Sequence, residues 1–160
     1  MRYRKILEGD VAAISRVHRR ACLIAYAFMN WSYSEDEVRD WYARRFENWD
    51  WGLVAENSVA VVGFLSTYGT FLDQLFVDPD HQRCGIGTAL MTLALQRSPA
   101  VATLTVFEQN TPARGFYERL GFREVRRFQN EEAKAVELLY SRFQAMPQAP
   151  IAEDGAQIRR

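Results

Sequence analysis

Cysteine and histidine are scarce in this chain, with two residues of each. Cys22 and Cys84 have neither the number nor the spacing of a disulfide framework or a zinc site, so they read as reduced thiols and no metal is expected. Neither sign of charge is in excess, since 20 Lys plus Arg balance 20 Asp plus Glu. Without a basic surplus to neutralise phosphates, nucleic acid is not an expected partner. Long apolar runs are also missing. No stretch of about 18 apolar residues occurs, and the opening "MRYRKILEGD" lacks the apolar centre of a signal peptide. The expectation is a cytoplasmic protein with no membrane partner.

The residues that are present suit one compact domain: 160 residues, 48% apolar and 25% charged. "YRKIL" predicts a first strand. Asp10 is a plausible N-cap for a helix over about residues 11–28, with Ile14, Val17, Ala21, Ile24 and Phe28 at helical spacing. Ser34 and Glu37 have the spacing of a capping box for a second helix that runs to about Asn48. From Trp51 to Val77, β-branched and aromatic residues predict three antiparallel strands, with turns at Asn57-Ser58 and Gly69. Helical period returns from Gly85 to about Arg97 on the stripe Ile86, Ala89, Leu90, Leu93 and Ala94. A strand "AVATLTVFEQN" follows, then a helix with Thr111 as N-cap, Pro112 at its first position and Gly121 as terminator. "FREVRRFQ" and "AVELLYSRF" complete the pattern as two strands. The domain spans residues 1–145, and residues 146–160 read as a flexible tail rich in Pro, Ala and charge.

The stretch "DPDHQRCGIGTALM" (78–91) places Gly85 and Gly87 at the start of a helix. A helix N-terminus leaves N–H groups unpartnered and carries about half a positive charge, so it attracts phosphate, and glycine lets the phosphate approach. A nucleotide-triphosphate loop needs Lys and then Ser or Thr after its last glycine; here Gly87 is followed by Thr88 and Ala89. A dinucleotide fingerprint needs a third glycine and a strand running directly into the loop. Position 90 is Leu, and seven residues including Pro79 separate Val77 from Gly85. Tight helix–sheet packing is the non-functional alternative for the two glycines.

"QRCGIG" matches the Q/R-x-x-G-x-G/A motif of the GNAT superfamily of acyl-CoA-dependent N-acyltransferases, and "NTPARGFYERLGF" resembles that family's second motif at Asn110, Ala113, Tyr117, Gly121 and Phe122. The resemblance covers residues 1 to about 143 in element order. It implies an α/β fold: a single domain with a mixed, mostly antiparallel sheet splayed between strands 4 and 5, and helices on both faces. It also implies acetyl-CoA as donor, bound by Leu75, Phe76, Val77, Gln82, Arg83, Cys84, Gly85, Ile86, Gly87, Thr88, Asn110, Ala113 and Tyr117. The backbone of Leu75 and Val77 takes the pantetheine arm, and the Leu75 N–H lies near the thioester oxygen as an oxyanion donor.

The acceptor is expected to be a primary amine of a small molecule or peptide. A lysine-like ammonium costs roughly 4.6 kcal/mol to neutralise at pH 7, so a base or a water path is needed. Alternation puts Phe71, Asp73, Leu75 and Val77 on one strand face, unless a bulge disturbs the register. Asp73 is the candidate base or electrostatic holder of the ammonium, and an aspartate that merely solvates a strand edge is the alternative. By the motif, Tyr117 is the acid that meets the leaving thiolate; otherwise it is a core tyrosine beside Phe116. Asn110 either binds pantetheine or stabilises the turn. Cys84 lacks a His–Asn partner set and is not read as a nucleophile. His18 is a face residue of the first helix and His81 a solvated loop residue. Tyr26, Trp31 and Tyr33 are expected to wall the acceptor site, favouring an apolar or aromatic group or a cation on ring faces. A non-catalytic acyl-CoA sensor of the same fold is the alternative function, and the resemblance leaves room for a homodimer.

Overall fold

The computed structural model describes residues 1–97 and 103–142; the tail expected from Met146 lies outside the described residues. The chain forms β1 (Arg2–Lys5), α1 (Val11–Ala25), α2 (Glu35–Phe46), β2 (Trp51–Glu56), β3 (Val61–Tyr68), β4 (Phe71–Val77), α3 (Ile86–Arg97), β5 (Thr103–Phe107), α4 (Thr111–Arg119), β6 (Arg123–Asn130) and β7 (Ala135–Ser141). The strands lie in the order β1-β2-β3-β4-β5-β7-β6. Every neighbouring pair is antiparallel except β4 and β5, which are parallel and meet at the single register pair Phe71↔Thr103. The sheet is therefore mixed and mostly antiparallel, and it opens where the resemblance expects it to.

Period-2 alternation sends side chains to two separate cores. On one face α1 and α2 bury Ile14, Val17, Val38 and Tyr42 against Ile6, Val54 and Phe64. On the other, Ile86, Leu90, Met91 and Ala94 of α3 and Tyr117 of α4 pack with Leu53, Leu65, Leu104 and Leu138. Each core is a continuous apolar layer, so helices cover both faces. Among the described residues no helix is long and apolar enough to cross a membrane.

The local signals are met with three corrections. Ser34 accepts from the Glu37 N–H, and Glu37 returns a bond from the Ser34 N–H at 2.8 Å, so the capping box forms. α1 stops at Ala25, short of Phe28, and both Ile24 and Phe28 of the expected stripe are exposed. The N-cap of α4 is Asn110, whose side chain accepts from the Ala113 N–H at 3.4 Å, whereas Thr111 is already helical. Asp10 sits at the N-cap position of α1 but makes no capping bond.

Its carboxylate reaches backwards instead, accepting two Arg4 N–H bonds at 2.7 and 2.8 Å and the Leu7 N–H at 2.8 Å. This knot ties β1 to the start of α1, the helix that carries His18 and leads to Tyr26. The Arg4 guanidinium holds the Asp10 carboxyl below the usual carboxylate range. Because the folded value lies below the unfolded one, the stabilisation is present above the unfolded pKa of about 3.9 and is lost as pH falls through the folded value. Asp10→Asn is expected to cost about 2 kcal/mol at pH 7. In urea melts across pH, the gap between variant and wild type should close below about pH 4; a gap that persists at lower pH would contradict the assigned ion pair.

A candidate active site in the split sheet

Beyond Phe71↔Thr103 the two parallel strands part, and their facing edges no longer bond to each other. Which backbone groups this strands can be worked out from the other side of β4. The Asp78 N–H donates to the Val62 carbonyl at 2.8 Å. In an antiparallel ladder, residues that bond across to the partner alternate with residues that turn away. With Phe76 opposite Phe64 and Leu75 opposite Leu65, Phe76 bonds to β3 while Leu75 and Val77 point their N–H and C=O groups into the split. The two expected backbone binders, Leu75 and Val77, thus face the split, whereas the backbone of Phe76, also expected among the cofactor-binding residues, is committed to β3. The Val77 carbonyl already accepts from the Gln82 side chain at 3.1 Å, which gives Gln82 a role in bracing the loop.

At the mouth of α3 the backbone takes a left-handed path at both Arg83 (φ 60°) and Gly85 (φ 79°). Glycine suits this conformation, and Arg83 adopts it at a cost of order 1–3 kcal/mol. A Cβ built on Gly85 would meet nothing within 4 Å, and one on Gly87 would make only ordinary contacts with Phe116 and Val77 at 3.6 Å or more. Helix–sheet crowding therefore does not account for these glycines. They leave an open cradle of N–H groups at the start of a 12-residue helix. Cys84 is exposed, with its thiol on the Gln82 carbonyl at 3.4 Å, and Thr88 is exposed beside it. Ile86 is buried beneath the cradle and anchors it to the core.

The split encloses a cleft of about 180 Å³, lined on β4 by Leu72 to Phe76, on β5 by Leu104 to Phe107, and by Asn110, Ala113 and Tyr117 of α4 and its cap. The structure brings these predicted residues together. Tyr117 is buried against Phe116 and Phe122, and burial raises its phenol pKa well above the usual value, so it holds its proton at any physiological pH. Asn110 both lines the cleft and caps α4.

Asp73 departs from its expected role. The β3–β4 register passes from Ser66↔Gln74 to Thr67↔Leu72, which makes Asp73 the unpaired residue of a bulge. Leu72, Leu75 and Val77 pack on the α3–α4 side. Asp73 turns to the α2 side, where its side chain, 3% exposed, accepts Arg45 at 2.5 and 3.2 Å and the Trp49 indole N–H at 2.9 Å. Its acceptor capacity faces these donors, so it is poorly placed to take a proton from an amine or to hold an ammonium.

A second cavity of about 1060 Å³ adjoins the cleft between the α1–α2 connection and the β6–β7 turn. Tyr26, Trp31 and Tyr33 all line it, and Tyr26 and Phe107 border both spaces. Their rings meet edge to face at 5.3 Å. Three further residues were not legible as site residues. His18 lines the larger cavity, stacked on Phe76 at 4.5 Å with its Nδ1 buried and unpartnered, and burial lowers its pKa to about 4. Gln74 enters the cleft and accepts from the Tyr42 hydroxyl at 3.2 Å. Glu137 of β7 lines the cleft beside Tyr26. Helical spacing could have marked His18 as lying one turn from Ile14 and Ala21; no sequence signal separates Glu137 from an ordinary solvent-facing strand residue.

Comparison with known proteins gives the same picture. A family model described as the acetyltransferase (GNAT) family matches residues 19–122. The peptidyl-lysine N-acetyltransferase YiaC of Escherichia coli (strain K12) is 34% identical over 123 residues, covering 74% of this chain and 81% of that protein. The solution structure of apo-form YjaB from Escherichia coli superposes with a TM-score of 0.72 at 27% identity, over 88% of this chain and 95% of the other. The PaiA N-acetyltransferase of Thermoplasma acidophilum, in complex with coenzyme A, superposes with a TM-score of 0.61 at 18% identity, over 89% of this chain and 98% of the other. At that identity the last likeness speaks for the fold alone.

If Asp73 is a structural ion-pair partner, Asp73→Asn should lower stability by about 1–2 kcal/mol, discounted because Arg45 is partly exposed. It should leave the shape of the activity–pH profile unchanged. Loss of the acid-side limb of that profile with no change in melting temperature would restore the aspartate as the base.

Proposed function

The chain belongs to the acetyltransferase (GNAT) family, and on that premise we propose that it moves an acetyl group from acetyl-CoA directly to a primary amine, with a lysine side chain of a peptide or protein as the favoured acceptor. The observation that carries this reading is the split between β4 and β5, with unpaired backbone on one wall and a buried phenol on the other. A direct transfer needs the two reactants to enter one cleft from different sides. The α3–α4 side offers the glycine cradle for the donor, and the α1–α2 side offers the aromatic cavity for the acceptor.

In this reading the pyrophosphate of the donor rests on the N–H groups of Arg83 to Thr88, and the pantetheine amides complete the edge of β4 at Leu75 and Val77. The fit is supported by the open space over Gly85. The Leu75 N–H then lies where negative charge develops on the thioester oxygen, an interaction worth roughly 3 kcal/mol in other enzymes. The Tyr117 O–H meets the charge that develops on sulfur as the C–S bond breaks. Its raised pKa keeps that proton in place, so the phenol acts chiefly as a hydrogen-bond donor to the departing thiolate.

A lysine acceptor is supported by two considerations. YiaC, to which the chain is similar, is a peptidyl-lysine N-acetyltransferase. The aromatic cavity has room for a long aliphatic stem, and the faces of Trp31 and Tyr33 can hold a cation. The test is thiol release from acetyl-CoA with lysine-containing peptides. Tyr117→Phe should lower kcat on the order of 100-fold while the CoA dissociation constant stays within about threefold. A variant with wild-type kcat, or a wild type that acetylates no amine at high enzyme concentration, would overturn the proposal.

A further inference from the structure

The split cleft contains two carboxylates, Asp73 and Glu137, and only one has an oxygen to spare. Asp73 faces two Arg45 nitrogens and the Trp49 indole. Glu137 accepts one bond, from the neutral Asn130 amide to Oε2 at 2.9 Å, and among the described residues it forms no salt bridge. Resting on the acetyltransfer reading above, we propose that Glu137 is the group in this cleft that receives the acceptor's ammonium and takes its proton, the part that sequence reasoning gives to Asp73.

The register places it there. Glu137 stands opposite Phe107 of β5 and Phe128 of β6. Its neighbours Val136 and Leu138 face the α3–α4 core, so alternation turns Glu137 to the acceptor face of the sheet. On that face it reaches the split beside Tyr26, the ring that separates the cleft from the aromatic cavity. An ammonium arriving through the cavity and passing Tyr26 therefore meets this carboxylate at the entrance to the cleft. Asp40 and Glu132 line the outer cavity but not the cleft. Glu37 is locked in the α2 capping box, and His18 lines the outer cavity but not the cleft, with a basicity too low to hold a lysine proton.

The ammonium gives one proton to Glu137, directly or through one water, and the proton passes on to solvent. The neutral nitrogen attacks the thioester carbon, forming the C–N bond. As the adduct collapses, the C–S bond breaks and the nitrogen loses its second proton, while the sulfur, hydrogen-bonded by Tyr117, gains one. The products are the amide, the thiol and one proton in solution. The titratable groups around Glu137 are Tyr26 from the end of α1, Tyr117 from α4 and Asp73 with its Arg45 across the cleft; Glu132 and Lys134 of the β6–β7 turn line the adjoining cavity.

Glu137→Gln tests this, since it keeps the size of the side chain and an oxygen for Asn130. Measured with acetyl-CoA and a lysine peptide, its kcat/KM at pH 7 should fall at least about 100-fold. The deficit should shrink as pH approaches the lysine pKa of about 10.4, where the acceptor deprotonates without help. Melting temperature and CoA affinity should match the wild type. Wild-type kcat/KM in the variant, or a deficit of the same factor at every pH, would overturn the assignment while leaving the acetyltransfer reading intact. A wild type without turnover on any amine would remove both.

Discussion

The whole arrangement depends on one departure from regular pairing: β4 and β5 lie side by side, run in the same direction, and bond at one place only. Along β2, β3 and β7 a backbone group finds its partner in the next strand. At Leu75 and Val77 it does not, and a polar backbone group kept from both water and protein would cost about 1–3 kcal/mol. In the proposed reading the opening is a cleft that an amide-bearing chain fills. The helices on either side hold it apart. Tyr117 and Ala113 of α4 stand over it on one face, and Tyr42 and Arg45 of α2 grip Gln74 and Asp73 from the other.

The bulge at Asp73 follows from the same geometry and gives it chirality of function. By inserting one residue it rotates Asp73 and Gln74 towards α2 and leaves Leu72 and Leu75 facing α3 and α4. The α3–α4 side of the cleft is thereby apolar and backbone-lined, whereas the α1–α2 side carries the polar side chains. A transfer that proceeds without a covalent enzyme intermediate needs this division, since the two reactants must meet without sharing a binding surface.

Much of this was legible in the sequence, and the failures have definite causes. The glycine turn, the capping box at Ser34 and the Gly121 terminator are local signals, set by backbone conformations that few residue types adopt, and each appears where expected. Asn110 and Thr111 compete for the same cap, and adjacent capping residues cannot be ranked without the helix itself. Asp73 fails for a different reason. Strict alternation assigns its face, and one inserted residue, which leaves no mark in composition, reverses the assignment. Glu137 is hidden because its face is turned inward only by the folding of β7 against the parted strand β5, a contact between distant parts of the chain. The aromatic residues Tyr26, Trp31 and Tyr33 line one cavity, and their density between two helices already marks a wall that no single core could absorb.

Residue-resolved amide hydrogen exchange along β4, with and without acetyl-CoA, addresses the open edge most directly. The account predicts that the Leu75 and Val77 amides become protected when the donor is added, while Phe76 and Asp78, already bonded to β3, change little. Equal protection at all four positions, or none at Leu75 and Val77 under saturating donor, would contradict it.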